Sequence, residues 1–447
     1  MLFRSIADFN NFKFLRDLKS EGSFKARSFA RSLIDEWIEQ DINLRSKVFD
    51  SEIMAERVSC WCFNYSWFGE SGDLNFQKKV LTSIALQTKF LELKLEETQK
   101  PNNQIIIIKG LLVAKSILYK DINNIHAMLD IVNDAVDLLI NPDGGHKSRS
   151  PVKQLLLLRQ LVEIRSIVAV LKNIDAEYLH NQTIKMGQFC RSFQMPDENF
   201  AWFNGGGLVE SNLIRQTLNR IGYKNRILNV AKDTGYCRLA LNDTVVFVDT
   251  GLEKKVSSDT KASLFAFELF YKKEKIISNL GQIDAPNVKN MNNSLASSAA
   301  HSTLNIDDRN NIDLTGKRKI EILNSKFLKT KEGNLIDVMH SGYGSIYGVN
   351  HKRQIYVTQN QNEIRGKDEI ISIGNVGTIP KNAYIRFHIC PNIELIKTRN
   401  GSILLKHEKG FVWKMTTNNQ NINIQDSVMF GLNGPVQCKE IMITMRL

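Results

Sequence analysis

Apolar residues recur with a helical period over the first 193 residues of the chain. In the segment SFARSLIDEWIEQ, five apolar residues fall on one stripe, which is the spacing of an amphipathic helix. They are Phe29, Leu33, Ile34, Trp37 and Ile38. The later segments of this kind are FQKKVLTSIALQTKFLELKL, IIIIKGLLVAKSILYK, IHAMLDIVNDAVDLLI and VKQLLLLRQLVEIRSIVAVLKNI. Successive helices with short polar turns between them predict antiparallel hairpins stacked into a helical array.

The period changes to two in the second half of the chain. Segments such as RLALNDTVVFVDT, RQIYVTQ and EIMITM are rich in β-branched and aromatic residues, and turn residues separate them. In YIRFHI the apolar residues Ile385, Phe387 and Ile389 face one side of a strand, and the polar row with Arg386 and His388 faces the other. That polar row is either a solvated face or the wall of a groove for an anionic chain.

Runs of helices followed by runs of strands predict segregated domains rather than alternating βαβ units. We therefore predict an α+β multidomain protein with a helical domain over residues 1–193. A linker over 194–225 contains the glycine-rich motif AWFNGGG, and an antiparallel β-domain covers 226–447. The glycine run lacks the Lys-Ser/Thr pair of a phosphate-binding loop, so we do not expect a nucleotide there.

Composition narrows the classes of partner. The formal net charge of +12 favours acidic partners such as a polyanionic polysaccharide, nucleic acid or an anionic surface. Because no dense Lys/Arg run occurs, nucleic acid ranks last, and we predict no nucleic-acid partner. The six cysteines and eight histidines show no spacing typical of a zinc site, so we predict no metal and no cofactor.

The apolar runs of the chain and its first twenty residues are evidence on where the protein is located in the cell. No run of about 18 apolar residues occurs, so we predict no transmembrane segment. The first twenty residues, MLFRSIADFNNFKFLRDLKS, lack the apolar core of a secretory signal. From the sequence, either the protein stays in the cytoplasm or the N-terminus is incomplete.

The stretch NPDGGHKSRSP, residues 141–151, lies between two helical segments and presents candidate chemistry. Its proline and paired glycines break the helix and permit a tight turn. His146 and Arg149 then supply an imidazole and a guanidinium, which suit a site for acidic substrates. The alternatives are a solvated turn histidine and an arginine that pairs with a helix end.

The order of domains, together with DGGHKSRSP and several motifs of the second half, resembles the heparinase II/III family of polysaccharide lyases and lyase-like proteins, in a bacterial branch. These motifs are AWFNGGG, FAFELFYKKEKIISNLG, SSAAHSTLNIDD, GYGSIYGVNHKRQIYV and IRFHICP. The resemblance implies an N-terminal α/α toroid, here N-terminally incomplete, followed by a C-terminal antiparallel β-sandwich. It also implies a periplasmic or cell-envelope location.

The chemistry implied by the resemblance is β-elimination at a uronic acid of a polysaccharide or oligosaccharide. A base removes the proton on C5, the bond from C4 to the glycosidic oxygen breaks, and a double bond forms between C4 and C5. Because the C5 proton lies beside an ionised carboxylate, that carboxylate must be neutralised by donors or cations. An acid must protonate the leaving oxygen.

The resemblance also implies site residues. His301 matches a family histidine that faces the cleft, and with His146 and either Tyr343 or Tyr347 it forms the predicted catalytic set. The predicted substrate-binding residues are Asn103, Gln104, Arg149, Asn204, Arg386 and His388.

Three positions depart from the family pattern or lie outside it. Gln104 stands where members have the histidine of an Asn-His pair, and Lys153 stands two residues after Pro151, where many members have a catalytic tyrosine. We expect His351 to lie in a solvent-facing basic turn, since Lys352 and Arg353 follow it.

Two hypotheses on function follow. The first is a lyase that cleaves an acidic polysaccharide or oligosaccharide, which His146 and His301 support. The second is a lyase-like protein that binds an envelope glycan without cleaving it, which the missing tyrosine supports.

Overall fold

The chain divides into two compact units in a computed structural model of the protein. The first unit comprises Met1–Leu139 with Leu157–Thr183, and the second comprises Ile140–Leu156 with Ile184–Leu447. The structure describes residues 9–40, 46–119, 124–171, 174–222, 226–253, 255–257, 259–283, 289–359, 362–374, 378–419 and 421–447.

The helical segments predicted from periodicity are helices. The helices of the described chain are Leu15–Glu21, Phe24–Glu39, Ser51–Phe68, Leu74–Glu97, Pro101–Leu118, Ile125–Leu139, Pro151–Val168, Glu177–Phe193, Ser211–Ile221, Lys289–Leu295 and Gly344–Tyr347. No helix within the described residues is long and apolar enough to cross a membrane.

The helix Pro101–Leu118 forms the centre of the first unit. Every residue from 105 to 114 is buried, as expected for a helix that is apolar on all sides. A Cβ on Gly110 would lie 3.1 Å from the Cα of Ala55, so glycine permits a close approach of the helix Ser51–Phe68. Lys109 is buried too, and Glu56 and Glu163 compensate its charge at 3.1 and 3.2 Å.

The predicted apolar stripe of the helix Phe24–Glu39 is partly wrong. Ile34 and Trp37 are buried as predicted, but the side chain of Phe29 is 55% exposed. The other buried positions of this helix are Ala26 and Ala30. The stripe therefore follows a spacing of four residues through two alanines, which the apolar pattern of larger side chains did not reveal.

The second unit is built on antiparallel strands. They are β1 Val230–Ala231, β2 Tyr236–Leu241, β3 Thr244–Asp249, β4 Phe267–Tyr271, β5 Glu274–Ser278, β6 Leu304–Ile306, β7 Ile322–Lys329, β8 Gly333–His340, β9 Val349–Thr358, β10 Ile364–Ser372, β11 Asn382–Ile389, β12 Ile393–Lys397, β13 Ile403–His407, β14 Val412–Met415, β15 Ile422–Gly431 and β16 Gly434–Arg446. The segments that alternate apolar and polar residues in the sequence are among them.

Three sheets contain these strands. The first is nine-stranded in the order β1-β2-β3-β4-β5-β11-β16-β15, with β6 paired to β11, and the others are β10-β9-β8-β7 and β12-β13-β14. Side chains from all three sheets, such as Leu269, Ile336 and Leu405, form one buried hydrophobic cluster. Helices followed by antiparallel sheets confirm the predicted fold class.

The segment over 194–225, predicted as a linker, contains regular structure. Ser211–Ile221 is a helix, and its buried residues include Ile214, Leu218 and Ile221. The spacing of three and four between these apolar residues is that of an amphipathic helix. Gly222, with a φ of 74°, ends the helix in a left-handed conformation.

A buried polar network corrects the prediction for His351. This residue lies within β9 and is fully buried, not in a solvent-facing turn. The backbone N–H of Gly342 donates to Nδ1 of His340, so His340 donates from Nε2 to Nδ1 of His351 (3.1 Å). His351 then donates from Nε2 to Asp368 (2.7 Å), which also pairs with Arg353. Each member is hydrogen-bonded, which lets these polar groups stay buried.

Candidate functional site

A small cavity in the second unit is lined by polar side chains and a glycine run. Its volume of about 10 Å³ is enough for about one water molecule. It is lined by Trp202, Asn204, Gly205, Gly206, Gly207, Lys261, Gly281, Gln282 and His301. We call it the His301 cavity. The structure therefore brings two predicted site residues, Asn204 and His301, to one place.

The AWFNGGG motif forms one wall of the His301 cavity. Its backbone turn is so tight that no side chain fits at Gly206. A Cβ on Gly206 would lie 1.9 Å from the carbonyl oxygen of Ala201. Asn204 and Gly205 have φ values of 47° and 90°, a left-handed conformation that asparagine and glycine adopt most readily. The motif is a tight turn rather than a phosphate-binding loop.

Asn204 is held by hydrogen bonds within the second unit. Its Nδ2 donates to the hydroxyl of Tyr236 at 2.6 Å and to the carbonyl oxygen of Arg149 at 3.3 Å. The Tyr236 hydroxyl donates to the same carbonyl at 3.1 Å. The amide of Asn204 therefore has a fixed orientation at the edge of the cavity.

His301 is a neutral imidazole in the structure. Its side chain is almost fully covered, and the residue is 4% exposed. Burial lowers the pKa of His301 to about 4, although its hydrogen bond to Ser297 raises it. Because the carbonyl of Ser297 only accepts, Nδ1 of His301 carries the proton and donates to it at 2.8 Å. The unprotonated nitrogen is Nε2, which is available as a proton acceptor.

Lys261 is a second cavity residue with unusual surroundings. It is 7% exposed, yet its ammonium makes no hydrogen bond or ion pair with any residue that the structure describes. Burial lowers the pKa of Lys261, while Asp259 and Glu253 act in the opposite direction. A buried cation without a direct partner is costly unless a ligand completes its coordination.

The turn that contains His146 docks on the hairpin that begins the first sheet. Asp143 accepts hydrogen bonds from the backbone N–H and the hydroxyl of Thr234 at 2.8 and 2.6 Å. A Cβ on Gly145 would lie 2.1 Å from the hydroxyl oxygen of Thr234, so glycine is required for this approach. The paired glycines of the motif therefore serve a close packing of backbone, not only a turn.

His146 itself is buried rather than solvated. Its Nδ1 accepts from the backbone N–H of Ser148 at 3.0 Å, which places the proton of the neutral ring on Nε2. Burial lowers the pKa of His146 to about 4, and the charge of Lys153 contributes. His146 is not among the residues that line the His301 cavity. Its catalytic role therefore remains a prediction.

Arg149 holds the motif in place. It is buried, and its guanidinium donates to the carbonyls of Thr234 and Gly235 at 2.8 and 3.0 Å and forms an ion pair with Asp249. It also stacks over the ring of Tyr236 at 4.6 Å. These contacts favour a positioning role for Arg149 over direct contact with a substrate.

Lys153 stands at the position where many family members have a catalytic tyrosine, and it is itself a candidate functional residue. Its ammonium pairs with Asp259. The charges of Lys153 and Asp259 act on the pKa of His146, and Asp259 also acts on Lys261. Asp259 therefore interacts both with Lys153 and with the cavity residue Lys261.

Arg386 and His388 lie in β11 and are engaged by neighbouring groups. Arg386 donates to Glu440 at 2.6 Å, and Nε2 of His388 donates to the carbonyl of Ala299 at 3.0 Å. His388 has no exposed surface, so a solvated face is the wrong interpretation for it. Neither residue lines the His301 cavity.

The two candidate tyrosines belong to the hydrophobic cluster of the second unit. Tyr343 is fully buried and donates its hydroxyl to the carbonyl of Leu304 at 3.1 Å. Burial raises the pKa of Tyr343 and of Tyr347. These surroundings do not favour either phenol as a catalytic acid or base.

Asn103 and Gln104 lie in the first unit, in the first turn of the helix Pro101–Leu118. Both side chains are half-buried, and Nε2 of Gln104 donates to the carbonyl of Thr98 at 3.2 Å. Their role in substrate binding remains a prediction.

Sequence patterns did not identify Lys261, Gln282 and Trp202 as cavity residues. Trp202 lies within the AWFNGGG motif, but the sequence did not mark its side chain as part of a site, and no motif spacing links Lys261 or Gln282 to His301. For Lys261 the one general signal in the sequence was the excess of positive charge. Within the described residues, no group of three or more histidine, cysteine or acidic side chains is placed to hold a metal ion.

The buried histidines predict a loss of stability in acid. Burial lowers the pKa of His146 and His301 to about 4 and that of His388 to about 3. In the unfolded chain these imidazoles take up protons near pH 6.5. As pH falls from about 6.5 to 4, the unfolded state therefore binds more protons than the folded state, and the free energy of unfolding should decrease. Urea unfolding at a series of pH values measures this.

A single substitution isolates one of these titrations. His146→Asn keeps an acceptor close to the position of Nδ1 for the N–H of Ser148. The variant should lose about one proton from the pH dependence of unfolding between pH 6.5 and 4. Equal slopes for the variant and the wild type would show that burial does not hold His146 neutral.

The helical region followed by antiparallel sheets is a heparinase-like lyase fold, as the comparisons with known proteins show. A family model described as Heparinase II/III-like, C-terminal, matches residues 224–447, half of the chain. The chain belongs to the heparinase II/III-like family.

Comparisons with individual proteins agree on the fold. A crystal structure of heparinase III matches with a TM-score of 0.76 and 14% identity, over 98% of this chain and 74% of that one. Heparan sulfate lyase HepC from Pedobacter heparinus matches with a TM-score of 0.70 and 14% identity, over 98% and 74% of the two chains. At this identity the likeness shows the fold, an α/α toroid followed by a β-sandwich.

A curated relative is the FtsZ-localized protein C of Caulobacter vibrioides. It is 24% identical over 452 residues, which cover 96% of this chain and 77% of the relative.

Proposed function

We propose that the protein binds the carboxylate of a uronic acid in the His301 cavity and cleaves the adjoining glycosidic bond by β-elimination. One observation carries this proposal: a buried lysine without a direct counter-ion among the described residues lines the same cavity as a neutral histidine. The cavity has room for about one water molecule, so the proposed binding mode places one carboxylate oxygen inside it and leaves the sugar ring outside.

The proposed roles follow from charge and tautomer. The ammonium of Lys261 neutralises the carboxylate and stabilises the second negative charge that develops when C5 loses its proton. Nε2 of His301 accepts the C5 proton, because Nδ1 is already bound to Ser297. The bond from C4 to oxygen then breaks, and the ammonium of Lys153, at the family's tyrosine position, is the proposed acid for the leaving oxygen.

A spectroscopic assay tests turnover. Elimination creates a C4–C5 double bond conjugated to the carboxylate, which absorbs in the ultraviolet. We expect an absorbance increase when the protein is incubated with at least one uronate-containing polysaccharide, and none with neutral polysaccharides. Absence of any increase across a panel of acidic polysaccharides, with binding retained, would contradict the lyase proposal.

Binding without cleavage is the second candidate. It is favoured by the absence of a tyrosine among the described residues that line the cavity, since Lys153 replaces the family's tyrosine and Tyr343 is buried in the hydrophobic cluster. In that case calorimetry should detect binding of an acidic oligosaccharide, while the ultraviolet signal stays flat.

We propose that the protein is cell-associated, which the name of the Caulobacter relative supports. A periplasmic or envelope location, implied by the family resemblance, stays part of this proposal, as does the absence of a nucleic-acid partner. Fractionation of cells, with detection of the native chain, tests the location.

A further inference from the structure

A larger cavity in the second unit lies over the nine-stranded sheet. Its volume of about 1430 Å³ exceeds the roughly 300–1,000 Å³ of most small-molecule pockets. The nine-stranded sheet contributes apolar side chains to it, among them Phe267, Ile385 and Phe387. Residues of β9 and β10 form another part of its lining, and Leu405 with residues of β14 forms a third. We call this cavity the edge groove.

Two open strand edges line the groove. β10 is the outermost strand of the four-stranded sheet, and β14 is the outermost strand of the three-stranded sheet. Among the described residues each pairs with a single neighbouring strand, β9 and β13 respectively. Each edge therefore has a row of backbone N–H and C=O groups without a strand partner, which is a template for pairing with another extended chain.

Gly366 lies inside β10 and lines the groove. It is paired with Ile355 of β9, and a Cβ on Gly366 would meet no atom within 4 Å. Its φ lies outside the left-handed region, so neither a turn nor crowding within the described residues requires glycine. A glycine inside a strand often marks a place where another backbone or a ligand approaches closely.

The charges at the groove favour an acidic occupant. Asp368 is neutralised by Arg353, and Lys367 pairs with Glu369 at 2.8 Å. Lys414 of β14 is exposed, and its ammonium makes no ion pair or hydrogen bond with any residue in the described part of the chain. The uncompensated charge beside the groove is therefore positive.

We propose that the edge groove binds an extended peptide of a partner protein, which adds a strand to the open edge of β10. Successive side chains of a strand point to opposite faces. Alternate apolar side chains of the peptide fill the space above Phe267 and Phe387, and an acidic side chain lies beside Lys414. The backbone edges give affinity, and the apolar floor gives specificity. This proposal does not depend on the sugar site.

A displayed library of random nine-residue peptides, the length of β10, tests the proposal on the full chain. Gly366→Trp places an indole in the open space of the groove, and Ser325→Trp is the matched control on β7, the opposite edge of the same sheet. We expect wild type and Ser325→Trp to enrich peptides that alternate apolar and polar residues. Synthetic copies of these peptides should bind Gly366→Trp about tenfold or more weakly.

A second variant keeps the test decisive if Gly366→Trp does not fold, which its melting temperature reveals. Lys414 is exposed, so Lys414→Glu should fold. This variant should bind the acidic peptides of the enriched set more weakly and the neutral peptides with unchanged affinity. The proposal is overturned if no alternating peptide is enriched, or if enriched peptides bind wild type and both groove variants equally. Binding of a heparan-type oligosaccharide that Gly366→Trp abolishes, without peptide binding, would instead assign the groove to sugar.

Discussion

Replacing His301 by alanine should lower the rate of uronate elimination by about two to four orders of magnitude, the usual contribution of a general acid–base group. The reason is the tautomer: Nδ1 donates its proton to the carbonyl of Ser297, so Nε2 is the unprotonated nitrogen of a histidine that lines the cavity. Initial rates from the ultraviolet absorbance of the unsaturated product measure the effect.

His301→Gln separates chemistry from packing. The glutamine amide retains a hydrogen-bond donor but has no basic nitrogen, so the variant should fold with a melting temperature close to that of the wild type and still lose turnover. His126→Ala, an exposed histidine in the helix Ile125–Leu139, is the control and should keep full activity. Normal specific activity in folded His301→Gln would rule out the histidine as the base.

Lys261→Met should weaken the binding of a uronate-containing oligosaccharide by about 2 to 5 kcal/mol, which corresponds to a factor of about 30 or more. Methionine is also unbranched, so it fills similar space, but it lacks the ammonium group that we propose binds the carboxylate. Isothermal titration calorimetry with an acidic oligosaccharide measures the change, and a neutral oligosaccharide of the same length is the control ligand.

The same variant should not lose stability. In the free protein Lys261 is only 7% exposed, and its ammonium has no ion pair or hydrogen bond to the described residues. Since burial of such a cation opposes folding, its removal should leave the free energy of unfolding unchanged or raise it. A large loss of stability in Lys261→Met, without a change in affinity, would show that the lysine is a structural residue.

Much of the fold could be predicted from the sequence because periodicity reports burial directly. The alternating pattern of YIRFHI corresponds to β11, and IIIIKGLLVA corresponds to the buried centre of the helix Pro101–Leu118. Phe29 was wrongly predicted on the buried stripe, because Ala26 and Ala30 take the interior positions that precede Ile34 and Trp37 in its helix. The helix Ser211–Ile221 was not predicted because it is short, 11 residues, and only a few apolar side chains mark its buried face.

The candidate site was less predictable. His301 and Asn204 came from motifs, and the structure places both at one cavity. Lys261 has no motif, because only the folded chain brings it close to His301. His351 was assigned to a surface turn from its basic neighbours, yet its side chain alternates to the covered face of β9, where His340 and Asp368 satisfy it.

The most direct test of the central claim compares two ligands on the wild-type protein. One is a uronate-containing oligosaccharide, and the other is the same oligosaccharide with its carboxylates reduced to alcohols. If Lys261 binds a carboxylate in the His301 cavity, calorimetry should show that reduction weakens binding by about tenfold or more, and that Lys261→Met removes the difference between the ligands. Equal affinity of the wild type for both ligands would contradict the assignment of the cavity to an acidic sugar.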